Sequence, residues 1–120
     1  MISEKYAEYF FLRQGFKVLQ PELADSPFDL LVSKDYLNFY KIQVKTLRPA
    51  TDRDHCVFTA LSRGRQMRVG YTKEEVDYYA LFEPVNENLY IIPYEKAPSK
   101  MIKIYDNGVK YKEYLNKFEL

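Results

Sequence analysis

The chain has 120 residues, 47% of them hydrophobic and 29% charged, with a formal net charge of +1. That length holds one core of ordinary size, which implies a single domain over residues 1–120, and the composition excludes disordered, collagen-like and fibrous chains. No stretch approaches the roughly 18 consecutive apolar residues of a membrane span, and the charged start Met1-Ile2-Ser3-Glu4-Lys5 has no signal-peptide core, so a cytoplasmic protein is expected.

Ser3 can cap a helix whose apolar residues Tyr6, Tyr9, Phe10 and Leu12 recur at helical spacing, and Gly15 supplies a left-handed stop. Phe16 to Leu19 reads as a strand, followed by an extended loop between Pro21 and Pro27. Phe28 to Val32 and Phe39 to Leu47 are two further strands joined by a hairpin loop at Ser33 to Asn38, so an antiparallel meander follows the helix. Cys56 to Leu61 is a fourth strand, and the cationic stretch from Ser62 to Gly70 a loop. Thr72 can cap a turn through Val76. Val76 to Phe82 and Leu89 to Tyr94 form a second hairpin, Met101 to Tyr105 a short edge strand, and Tyr111 to Phe118 a last amphipathic helix. One cysteine, Cys56, and one histidine, His55, exclude an intramolecular disulfide and a Cys/His zinc site. Most of the twelve tyrosines and eight phenylalanines fall at core spacing.

The near-zero net charge conceals an uneven distribution. Between Lys41 and Lys73 eight basic residues face two acids, a local balance of +6, and the remainder carries −5. Such a cationic middle can bind a polyanion. Arg63, Arg65 and Arg68, with Arg48 and Arg53 near them in sequence, are candidates for phosphate contacts, and a solvated loop is the competing reading.

Gln43 and Lys45 are two apart on a strand and share one face, while Ile42 and Val44 point the other way, toward the helix-covered core. Asp29 lies in the preceding strand among Phe28, Leu30, Leu31 and Val32, where a carboxylate needs a partner. That partner can be Lys45, in a structural salt bridge, or a cation. A hard divalent ion such as Mg²⁺ takes one or two carboxylates, an amide or backbone carbonyl oxygen, and water or phosphate for the rest. Asp29, Gln43 and the Val44 carbonyl can supply such a set, and Lys45 can hold a scissile phosphate and help position or deprotonate the attacking water.

An early helix with Glu4 and Gly15, then Pro27-Phe28-Asp29, then Gln43-Val44-Lys45 with Thr46, resembles the PD-(D/E)XK nuclease superfamily. Over about the first 95 residues the wider pattern, with Val76 to Ala80 and Leu89 to Pro93, is most similar to the branch containing group I intron homing endonucleases, and less so to archaeal Holliday junction resolvases. The resemblance implies an α/β (α+β) restriction-endonuclease-like αβββαβ core, a mixed sheet flanked by helices. It implies Mg²⁺-dependent cleavage of double-stranded or branched DNA, with Mn²⁺ as a substitute, by a homodimer or homotetramer. Carried over, Asp29 is the central metal ligand, Glu4 a helix-borne ligand, Gln43 stands where the superfamily more often has Glu or Asp, and Lys45 is the catalytic lysine. Glu8, one turn along, is the alternative to Glu4. A structure-selective junction nuclease, and a catalytically silent member that binds nucleic acid or a protein, are the competing functions.

Overall fold

The computed structural model describes residues 2–22, 26–50, 56–61, 70–106 and 108–118. Helix α1 (Ile2–Arg13) turns Ser3, Ala7 and Phe11 inward, the i, i+4, i+8 stripe of a single face. The expected inward placement of Tyr9 and Leu12 is corrected. Both are more than half exposed, and the Arg13 guanidinium sits 5.6 Å from the Tyr9 ring centre. Ser3 is likewise inside the helix rather than its cap, buried, with its hydroxyl hydrogen-bonded to Thr46 Oγ1. Gly15 stops the helix at φ 91°: its N–H donates to the Leu12 carbonyl at 3.1 Å and that of Phe16 to the Phe11 carbonyl at 3.0 Å. These paired bonds need a left-handed residue, which glycine adopts without a Cβ penalty.

Strands β1 (Lys17–Leu19), β2 (Leu30–Ser33) and β3 (Tyr40–Thr46) form the antiparallel meander. Its β2–β3 turn is held by Asp35, whose carboxylate accepts the N–H groups of Asn38 and Leu37 at 2.8 Å, bonds that keep this exposed acid at a pKa of about 2. The chain continues through β4 (Arg48–Pro49) and β5 (Cys56–Ala60) to β6 (Tyr78–Glu83), which returns parallel to β3. β7 (Asn88–Pro93) completes a five-stranded mixed sheet ordered β1-β2-β3-β6-β7. β8 (Met101–Tyr105) pairs with β5, and with β4 they form a second, antiparallel sheet.

Between β3 and β6, where an αβββαβ chain carries its second helix, the described residues hold β4, β5 and a single turn at Thr72 to Val76. That turn is closed by Val76 N–H on the Thr72 carbonyl at 3.0 Å and by the Glu75 carboxylate on Thr72 N–H. The helix expected over Tyr111 to Phe118 is corrected to a 3₁₀ turn at Lys112–Tyr114. Left-handed Tyr111 and Asn116 bound it, and Asn116 bonds Leu89 through both its backbone N–H and its side-chain oxygen. Pairing with the otherwise open edge of β7 outweighs helix propensity here.

Two apolar layers sandwich the mixed sheet. Ala7 and Phe11 of α1 pack on Leu30, Val32, Ile42, Val44, Ala80 and Phe82, with Phe118 closing edge-to-face on Phe11 and Tyr78. On the opposite face Tyr79, Leu81 and Ile92 meet Val57, Ile102 and Ile104 from the second sheet. β3 therefore has Ile42 and Val44 under the helix, as expected. Gln43 and Lys45 stand beside Tyr79 and Leu81 on the other face.

Candidate active site

Asp29 stands at the mouth of β2, just outside the strand, which corrects its expected place within the apolar run. Its N–H donates to the Ile42 carbonyl at 2.8 Å, the last rung of the β2–β3 ladder, and its Oδ2 accepts Val44 N–H at 2.8 Å. The carboxylate thus takes the position of the next backbone acceptor where β2 leaves β3. A strand residue directs its N–H and C=O to the same neighbour, so the Val44 carbonyl faces this opening too.

Glu4, Asp29, Gln43, Val44 and Lys45 line one cavity of about 520 Å³, with Thr46, Arg48 and, from β5, Phe58, Thr59 and Ala60. Glu4 reaches it from the first turn of α1, and the Ser3–Thr46 hydrogen bond ties that turn to the end of β3. Glu8 turns away, pairing with Lys5 at 3.7 Å and accepting from Gln20 Nε2 at 3.5 Å. Arg48 sits exposed at the rim on β4; Arg53, Arg63, Arg65 and Arg68 lie outside the described residues.

Burial raises the Asp29 carboxyl above its ordinary value, against the opposing pull of Val44 N–H and the Lys45 charge. Glu4 is raised as well, by burial and then by the charge of Asp29. Burial lowers the Lys45 ammonium, and Asp29 partly restores it. The structural salt bridge weighed for Asp29 does not form. The ion pairs among the described residues within 4 Å join Lys5 to Glu8 and Lys73 to Asp77 and Glu95. Lys45 instead holds its ammonium 5.6 Å from the centre of the Tyr71 ring, a cation–π contact with a residue that carries no motif in the sequence.

The oxygen atoms here suit a hard cation. Gln43 is 8% exposed; its Nε2 lies 3.4 Å from the Val44 carbonyl, and its Oε1 accepts no hydrogen bond from the described residues. Asp29 Oδ1 is in the same condition. Two carboxylates of raised proton affinity, a buried amide oxygen and a backbone carbonyl together lack positive charge, which a divalent ion supplies. Among the described residues no three His, Cys, Asp or Glu side chains converge, so any such site is an acid pair completed by neutral oxygens.

Residues 2–118 match the family described as PD-(D/E)XK endonuclease. The chain belongs to that family. Its PD-(D/E)XK fold is similar to a bacterial homing endonuclease, I-Ssp6803I, with a TM-score of 0.81 and 18% identity over 95% of this chain and 84% of that one. It is also similar to the Holliday junction resolvase Hjc of the archaeal hyperthermophile Archaeoglobus fulgidus, with a TM-score of 0.53 and 17% identity over 88% and 82% of the two chains. No curated protein matches the sequence. PD-(D/E)XK membership supports a nuclease, and the family's general use of divalent ions agrees with the oxygen set just described.

Among the described residues no helix is long and apolar enough to cross a membrane. What the strand pattern missed is the second sheet, which covers the Gln43 face and makes a cavity wall of Phe58, Thr59 and Ala60. Alternation within Cys56 to Leu61 is the signal for a strand, but nothing local says which sheet receives it.

Proposed function

We propose that this chain is a Mg²⁺-dependent DNA endonuclease of the homing type, acting with Mn²⁺ as well, and that Glu4, Asp29, Gln43 and the Val44 carbonyl hold the ion. The observation that carries this reading is the meeting of two carboxylates of raised proton affinity, a buried amide oxygen and a half-buried lysine in one cavity. When bound, the cation supplies Lewis-acid polarisation of the phosphate and a water of lowered pKa. Asp29 keeps the Val44 carbonyl aimed at the opening by holding the same residue's N–H. Lys45 places its ammonium against the scissile phosphate, where it offsets the charge that grows as water adds and the leaving oxygen departs. Its lowered proton affinity also suits it to pass a proton.

One site per chain and two strands per duplex favour a homodimer or homotetramer with two-fold symmetry. The fold likeness to a homing endonuclease, greater than that to a junction resolvase, supports linear duplex as the substrate. Incubation with supercoiled plasmid, linear duplex and four-way junctions should show cutting in Mg²⁺ and Mn²⁺ and none in EDTA, with duplex preferred. Preference for the junction would replace the homing reading by the resolvase one. Metal-independent, strongly salt-dependent binding without cutting would leave a silent DNA-binding member.

Gln43→Glu tests the metal set directly. A third carboxylate should tighten Mn²⁺ binding by about tenfold, read by calorimetry on the protein alone. Unchanged affinity would remove Gln43 from the set.

A further inference from the structure

We infer that the outward face of the second sheet is a docking surface for duplex DNA that leads the backbone into the cavity, an inference that rests on the nuclease reading above. In antiparallel pairs, residues directly opposite one another share a face. The register sets Arg48 opposite Phe58 and Phe58 opposite Lys103, so these three form one row across β4, β5 and β8. β8 alternates cleanly. Ile102 and Ile104 point into the apolar layer, and Met101, Lys103 and Tyr105 point out. Phe58 belongs to neither apolar layer.

Charge and continuity select the occupant. None of the three strands carries an Asp or Glu, and Arg48 and Lys103 are both exposed. At one end of the row Arg48 and Phe58 line the cavity that holds Asp29 and Lys45. At the other, Met101, Lys103, Tyr105 and exposed Lys110 line a shallow pocket on the same face. A cationic, aromatic strip of antiparallel strands ending at the reaction centre fits a phosphate backbone, and the major groove of B-DNA admits a two-stranded ribbon.

The test measures the affinity of the full chain for a short fluorescein-labelled duplex of mixed sequence, in EDTA, between about 50 and 200 mM NaCl. Lys103→Gln should weaken binding and lower the slope of log K against log salt by about one, with unchanged thermal unfolding, while Lys34→Gln at the far β2–β3 turn leaves both as in the parent. A Lys103→Gln protein with the parent's affinity and slope would overturn the inference, even if Mg²⁺-dependent cutting is intact. Loss of binding through Lys103 in a protein that never cuts would sustain the docking face and sink the nuclease reading instead. A drop in sedimenting mass with no change in DNA affinity would make the face a contact between copies of this chain, which also overturns it.

Discussion

Lys45→Ala should lower the rate of DNA cleavage by at least ~10²-fold at saturating Mg²⁺, the loss typical of deleting one group that stabilises transition-state charge. The folded protein should persist, because Lys45 belongs to neither apolar layer and makes no ion pair within 4 Å with a described residue. The effect should fall on the single-turnover rate and leave duplex affinity nearly intact, since in the proposed complex the side chain would meet one phosphate of an extended surface. Lys45→Arg keeps the charge but spreads it over a planar fork that does not fit the same space, so it should recover only part of the rate. A Lys45→Ala enzyme cutting within a few-fold of the parent would remove this lysine from the chemistry.

Asp29→Asn should also abolish metal-dependent cutting, yet it should make the metal-free protein more stable at about pH 7. The sign follows from the direction of the shifts. Asp29 and Glu4 have ordinary values of 3.8 and 4.5, and both are raised in the fold. The native state therefore holds these protons more tightly than the unfolded chain, and stability falls as pH climbs from about 4 through the raised values. Asparagine removes the buried charge and the repulsion on Glu4, while its amide oxygen still accepts Val44 N–H. In EDTA the variant should unfold about 4 °C higher, the shift that ~1 kcal/mol produces in a domain of this size. Saturating Mg²⁺ should raise the parent's midpoint and leave the variant's unmoved. A variant less stable than the parent in EDTA would show that Asp29 serves the fold rather than an ion.

How much of this could be read beforehand differs by element. α1, its glycine stop, the β1–β2–β3 meander and the β6–β7 hairpin follow from local spacing and turn chemistry, so Glu4, Asp29, Gln43 and Lys45 could be set on neighbouring elements before any coordinates. The inward face of α1 was harder, because Ser3 looks like a cap and Tyr9 like core until Thr46 and Arg13 supply their partners from outside the local window. Tyr111 to Phe118 carries helical spacing but is spent on the edge of β7. Most of all, the destination of β5 is a long-range choice. Only once it leaves the main sheet for β4 and β8 does Gln43 become a buried amide, and only then do Phe58 and Lys103 fall into line with Arg48.

The joint between the two sheets is very short. Thr46 ends β3 and Arg48 opens β4, so the link is Leu47 alone, 1% exposed and anchored by its N–H to the Phe82 carbonyl at 2.8 Å. Such a splice has no room to swivel. The proposed docking strip and the strand that carries Lys45 would then act as the two arms of a fixed calliper. On the proposed reading, the spacing between a phosphate held by Arg48 and the bond opened beside Lys45 would be set by the backbone. On that reading, outward positions on β5 and β8 could drift toward a new target while Val57, Ile102 and Ile104 keep the gauge, so that preference for a site would change without moving the nick.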